Sequence, residues 1–434
     1  MRRRSGFTLV ELVVAMALIL FIMAILSDAF VAGLKSFRDL KATSDLAERL
    51  RSVSTLIRKE LAADHFDGKR RMSQADFWTG GPPPEGFFRL YQGSPPAVGG
   101  PAYFIEGNDA NEVGTTFLTS CRATDHILHF TVKLRGNERG DFFTAGNIPA
   151  GGLALTASPL LLGSRHYQEG TTVYNSQWAE VVYFLRATGE TAKGTPLFGL
   201  YRRQMLLVPD NGLLTNTVAG VTTNYPEISC VQNGANLYFN NPRDVTMPVR
   251  RSGMTANQLA GLLNATDPLT GRTSFPTMGE STVGTLHQGA DLVLSDVVSF
   301  EVRLMLSDTA NDHFESLYDI TGSSPLTTRT VTSYPVRNPS FSTAGPLVFD
   351  TWSSADDAAG GLGGGPYNYS TWNAVVNAAN PPTPWHIPIY QRSVLNANGT
   401  TSTTTIHVKA VQVIIRVWDY KTEQTRQITI VQDM

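Results

Sequence analysis

Hydrophobic and polar positions divide the chain into a rod followed by a β-rich body. From Phe7 to Leu26 there are twenty residues, of which only Thr8 and Glu11 are polar. At about 1.5 Å per residue this run spans roughly 30 Å, the thickness of a bilayer's hydrocarbon core. The pattern then turns amphipathic. Val31, Leu34, Phe37, Leu40, Leu46, Leu50, Val53, Ile57 and Leu61 recur at spacings of three, four and six, with Lys35, Arg38, Asp45, Arg49 and Lys59 mostly off that series. The reading is one helix with one apolar stripe, unbroken by proline, from about Thr8 to Asp64.

Beyond Gly68 the period shortens. Gly80–Pro84 and Gly93–Pro101 are turn-rich connectors. Strand-like segments follow at Asp125–Leu134, Ala179–Arg186, Gly199–Arg203 and Ala290–Leu304. Val408–Trp418 and Arg426–Val431, joined by a polar turn, read as a closing β-hairpin. The expected fold class is α+β, with a long N-terminal helix packed on an antiparallel β-rich head. The expected organisation is a leader at 1–6, a membrane or core helix at 7–30, an amphipathic stem at 31–67 and a head at 68–434. Within the head, 68–205, 286–305 and 406–434 form the body, while 206–285 and 306–405 read as large insertions or a second lobe.

Composition agrees with a loop-rich β protein: 42% hydrophobic, 17% charged, 38 Gly and 24 Pro in 434 residues. A formal net charge of −2, with no basic run after the N-terminus, gives no reason to expect a nucleic-acid partner. The three arginines ahead of the apolar run predict a cytoplasmic N-terminus and an exported remainder. Two cysteines, Cys121 and Cys230, exclude a disulfide-rich scaffold or a four-cysteine metal site. They are either two buried thiols or one disulfide.

Little else suggests chemistry. No nucleophile elbow, zinc-protease or phosphate-loop motif is present, and neither a catalytic set nor a cofactor or metal is expected. His126 and His129 are three apart, which in a strand sends them to opposite faces and away from a shared metal. Asp308–Asp312 is an acidic stretch better read as a solvated turn than a calcium loop. Trp352, Trp372 and Trp385 read as anchoring residues before sugar-binding ones.

The start of the chain carries more. An ordinary signal peptide has its small-residue cleavage site after the apolar run; here Gly6 precedes it, and Glu11 lies inside it. Gly6-Phe7-Thr8-Leu9-Val10-Glu11 closely resembles the signal of type IV pilins and type II secretion pseudopilins. That resemblance implies cleavage between Gly6 and Phe7 by a prepilin peptidase, methylation of the new Phe7 amine, and retention of the apolar helix. Glu11 matches the family's glutamate. It either reaches the headgroups at the membrane edge or neutralises the Phe7 ammonium, its own or a neighbour's, during assembly, because an unpaired carboxylate in hydrocarbon costs several kcal/mol, to order of magnitude.

The later strands resemble J-type pseudopilins and W-type minor pilins. Val181, Tyr183 and Leu185 with Leu200 and Arg202 match one pattern, and Val297, Phe300 and Val302 another. They also resemble the protein C component of the Verru/Chthon pilin-like cassette. The resemblance implies a minor structural subunit held in the inner membrane before entering a pilus or pseudopilus; the alternatives are an adhesin or ligand-binding module displayed on that scaffold and, behind it, a membrane-tethered hydrolase. Its implied partners are prepilin peptidase, other pilins, membrane lipid, and an inner-membrane assembly platform with its ATPase.

Overall fold

A computed structural model describes residues 8–74, 77, 83–91, 105–106, 120–121, 123–124, 126–146, 165–169, 173–209, 227–233, 236–246, 251, 290–306, 314–315, 348–351, 392–395, 401–404 and 408–434. Helix α1 runs from Leu9 to Leu61, 53 residues, or about 80 Å. Its last turn carries Arg58 and Lys59, cations that suit the partial negative charge of a helix C-terminus. Beyond it, Gly68 and Lys69 adopt positive φ of 70° and 59°, and the chain turns toward the head.

The head is organised by an antiparallel sheet of strands β1 (Phe88–Tyr91), β2 (Ile127–Lys133), β3 (Trp178–Ala192), β4 (Thr195–Leu206), β5 (Ala290–Leu306), β6 (Val348–Asp350), β7 (Val408–Asp419) and β8 (Gln424–Asp433). Their spatial order is β6-β1-β2-β3-β4-β5-β7-β8, with Phe314–Glu315 flanking β5. Leu128, Tyr183 and Arg202 are aligned across β2, β3 and β4. Val302, Val413 and Ile430 are aligned across β5, β7 and β8. The closing hairpin predicted from alternation is β7–β8, and β7 buries Val411, Val413, Ile415 and Val417 on every second position.

α1 crosses this sheet obliquely. Arg426 at the start of β8 reaches Thr43 at 3.3 Å, and Arg49 reaches Ser295 on β5 at 2.7 Å. Beyond the helix end, the backbone N–H of Lys133 on β2 donates to the Asp64 carbonyl at 2.7 Å. Leu46, Leu50, Val53, Ile57 and Leu61 enter a core with Phe130, Val181, Leu200, Phe300, Val302 and Ile415. Each fully buried side chain of this kind contributes about 1.5–3 kcal/mol.

The single continuous stripe read from the sequence is not what forms. Every residue from Thr8 to Arg38 is exposed, and burial begins only at Ala42. Phe37 and Leu46 are nine residues apart, two and a half turns, which places them on opposite sides of the helix. The steps of three between Val31 and Leu40 drift around the axis, so the apolar face changes sides near Lys41.

The opposite face of the sheet is also covered. Phe87, Trp178, Leu207 and Val245 form one cluster there, and Ile127, Val182 and Met205 another. Much of 206–285 and 306–405, including Asp308–Asp312, the three tryptophans and Gly360–Pro366, lies outside the described residues.

Candidate functional site

Gly6 and Phe7 lie outside the described residues; the site begins at Thr8. Thr8 has extended backbone angles of φ −76° and ψ 149° and caps α1. Its hydroxyl accepts from the Glu11 N–H at 3.3 Å. The Glu11 carboxylate reaches back and accepts from the Thr8 N–H and the Thr8 hydroxyl, both at 2.9 Å. This reciprocal capping box satisfies donors that a helix start otherwise leaves open, and it sets a negative charge at the positive end of the helix dipole. In the sequence Thr8 reads merely as a polar residue ahead of the apolar run. The Thr-x-x-Glu spacing of Thr8 and Glu11 was the available signal.

Glu11 is thereby held by its own helix at the very start of the apolar run, next to where Phe7 joins. α1 is the one helix, among the described residues, long and apolar enough to cross a membrane.

The far end of α1 is fixed to the head by a buried polar cluster. Glu60 lies in the last turn, where the helix dipole disfavours an anion. Arg202 Nε donates to its carboxylate at 2.8 Å, and the Tyr183 hydroxyl donates to its second oxygen. Burial, with the Glu60 charge beside it, pushes the Tyr183 pKa up, so the phenol keeps its proton. Burial disfavours the Arg202 charge, but the bond to Glu60 outweighs it and raises the guanidinium's pKa. Asp64 pairs with Arg135, and Asp67 with Lys133 at 3.0 Å.

His65 follows directly. Its ring nitrogens face the Thr131 carbonyl at 2.7 Å and the Leu61 carbonyl at 3.1 Å. Gly86 passes so close that a Cβ there would lie 2.0 Å from the His65 carbonyl oxygen, at a φ of +89°. Only glycine fits this crossing.

On the other face of the sheet, His129 Nε2 donates to Glu180 at 2.6 Å. Ser229 donates to the other Glu180 oxygen at 2.6 Å, and Asn240 donates to Ser229 at 2.9 Å. All four side chains belong to buried residues. Because Ser229 donates to the carboxylate rather than to an imidazole, the cluster does not present an activated nucleophile. His126 accepts from the Val302 N–H at 3.0 Å, so the two histidines serve different partners. Among the described residues, no group of three or more His, Cys, Asp or Glu could hold a metal ion. Cys121 pairs in a ladder with Ile105, and Cys230 in another with Phe239; their side chains lie outside the described residues.

Residues 1–27 match the family model described as the prokaryotic N-terminal methylation motif. No curated protein and no solved structure matches the chain. With Gly6, Phe7 and Glu11 in that matched stretch and a capped apolar helix leading out of it, the chain carries a type IV pilin-like signal of the kind prepilin peptidase processes.

Proposed function

We propose that the chain is a minor pilin or pseudopilin, cut between Gly6 and Phe7, methylated on Phe7 and assembled through α1 into a type IV pilus or type II secretion pseudopilus. It would wait in the inner membrane with a cytoplasmic N-terminus, and its large head favours a tip or a sparse position over the repeating shaft. The observation that carries the reading is the unpartnered rod. Apolar side chains stay exposed from Leu9 to Leu40, about 48 Å of helix, whereas a bilayer covers about 30 Å. Lipid accounts for the lower part, and packing against other helices accounts for the rest.

The J-type and W-type patterns acquire a physical meaning in support. Val181, Leu200, Val297, Phe300 and Val302 line the core under α1, and Tyr183 with Arg202 holds Glu60. They are the residues that seat a pilin-type helix on its sheet. Glu11 would exchange its own cap for the methylated Phe7 amine of a neighbour as the helix leaves lipid. Whether Cys121 and Cys230 join is a separate proposal, read out by thiol counting.

Two variants test the reading. Gly6→Ala should leave a full-length band and no N-methyl-Phe. Glu11→Ala should be cut normally yet fail to enter assembled material. Normal incorporation of the Glu11 variant would remove its assembly role.

A further inference from the structure

The two edges of the sheet are finished differently. β6 closes one with three residues. β8 ends the other with ten, and among the described residues it pairs with β7 alone. That ladder runs without a register shift from Asp419 opposite Gln424 to Ala410 opposite Asp433, whereas β5 shifts against both β4 and β7. Short strands, bulges, proline and lysine are common devices that keep an edge from pairing. β8 is long and unbulged, and it contains neither Pro nor Lys.

One bond fixes which backbone groups look outward. The Met434 N–H donates to the Lys409 carbonyl of β7 at 2.9 Å. Alternation then turns the backbone of Arg426, Ile428, Ile430 and Gln432 toward β7, and that of Thr425, Gln427, Thr429, Val431 and Asp433 to the outer edge. All five outward residues are exposed. The other row looks toward α1: Ile430 is buried and Ile428 packs on the same core. Arg426 belongs to this row. It donates to the Thr43 hydroxyl at 3.3 Å, while its Nε has no acceptor among the described residues. A charge on the inner row of an edge penalises any added strand that brings no counter-charge.

A second copy does not fit this edge. Antiparallel pairing of two β8 strands needs a two-fold axis normal to the sheet, which reverses every direction lying in the sheet. α1 lies along the sheet, reaching β8 from Thr43, β5 from Arg49 and β4 from Glu60. The two apolar rods would therefore point opposite ways, which a shared membrane does not allow. A two-fold along the strands sets each outward N–H level with its own copy instead of with a carbonyl. Pairing β8 with the β6 of another copy offers three residues against ten. We propose that the outer edge of β8 accepts an extended segment of a different protein subunit as an added antiparallel strand, with apolar residues opposite Ile428 and Ile430 and a carboxylate opposite Arg426. The inference rests on the assembly reading above for the shared membrane, and adds to it a contact made by the head.

The probe is a fluorescent peptide, Lys-Thr-Thr-Val-Thr-Val-Thr-Glu-Thr, which laid antiparallel sets its valines opposite Ile430 and Ile428 and its glutamate opposite Arg426. It is titrated onto the extracted full-length chain by anisotropy. N-methylating the two threonines opposite Thr429 and Gln427 removes donors that face β8, and should weaken binding at least about tenfold. N-methylating the two valines, whose N–H groups point away, should leave it nearly unchanged. Thr429→Pro removes an outward N–H and spares the β7 ladder, so it should weaken the probe about fivefold at an unchanged unfolding midpoint. Arg426→Gln should erase the probe's preference for glutamate over glutamine. Equal binding of the two methylated probes, or no binding of the parent peptide, overturns the proposal. Self-association of the chain that the probe competes away makes a second copy the occupant and overturns it too. Should the proline variant fail to fold, the methylated probes decide the matter on the wild-type chain. Cleavage at Gly6 is scored in the same preparation, so failure of the assembly reading shows separately.

Discussion

The two ends of α1 are built from similar residues and do opposite things. Leu9 to Arg38 buries nothing in its own chain. Ala42 to Leu61 buries Leu46, Leu50, Val53, Ile57 and Leu61 against the sheet. The apolar face changes sides between them, and so does the handling of the acid each end contains. Glu11 is capped by Thr8 within one turn, whereas Glu60 is held by Tyr183 and Arg202 from β3 and β4. One half is finished by its own head, and the other stays exposed. Under the proposed function, that division would let a single helix serve as a domain's core element and as an assembly surface.

The comparison breaks most visibly at Glu60. Arg202→Met leaves a buried carboxylate without its cation and should cost the head about 4 kcal/mol, the usual scale for breaking a buried pair. Thermal unfolding of the extracted chain measures it. Pairing Arg202→Met with Glu60→Leu should recover much of the loss, because an apolar pair avoids the desolvation penalty. Next comes packing. Ile57→Ala, at a fully buried position, should destabilise the head by about 3 kcal/mol. Phe30→Ala, a larger truncation in the lower half, should leave the unfolding midpoint unchanged while lowering incorporation. Equal effects of these two substitutions on the midpoint would erase the distinction between the halves.

A smaller effect sharpens the contrast through pH. Burial pushes the His65 and His129 imidazoles below their ordinary value. The unfolded chain therefore binds protons that the folded head does not. Stability is full above about pH 6.5, the ordinary histidine value, and falls as acid protonates the unfolded state below it. Unfolding midpoints between pH 7.5 and 5 should drop, and His65→Gln together with His129→Gln should flatten the slope. Nothing comparable is expected of the lower helix, which has no histidine among its described residues.

The parts legible in the sequence were those written in local patterns. The twenty-residue apolar run, the helix beyond it, and strands such as Ala290–Leu306 and the Val408–Asp433 hairpin follow from periodicity alone. Pairings set by distant residues were not legible. β1 is joined to β6 through Leu90 and Phe349, short segments far apart in the chain, each too brief to show a period. Glu60 read as one more charge near a helix end, because its partners lie on strands more than a hundred residues away. The change of face near Lys41 was countable from the sequence, but steps of three resemble a stripe until their drift is followed. At the N-terminal site, Gly6, Phe7 and Glu11 stood out through the resemblance to pilin signals, while the capping role of Thr8 emerged with the hydrogen bonds.

The most direct measurement is the N-terminal sequence of the mature chain, read by mass spectrometry after export. A retained, laterally packing helix requires N-methylated Phe7 as the first residue, with Glu11 four positions on. A first residue beyond Leu26 would mean that the apolar rod had been cut away, and no membrane-spanning part of α1 would remain to assemble.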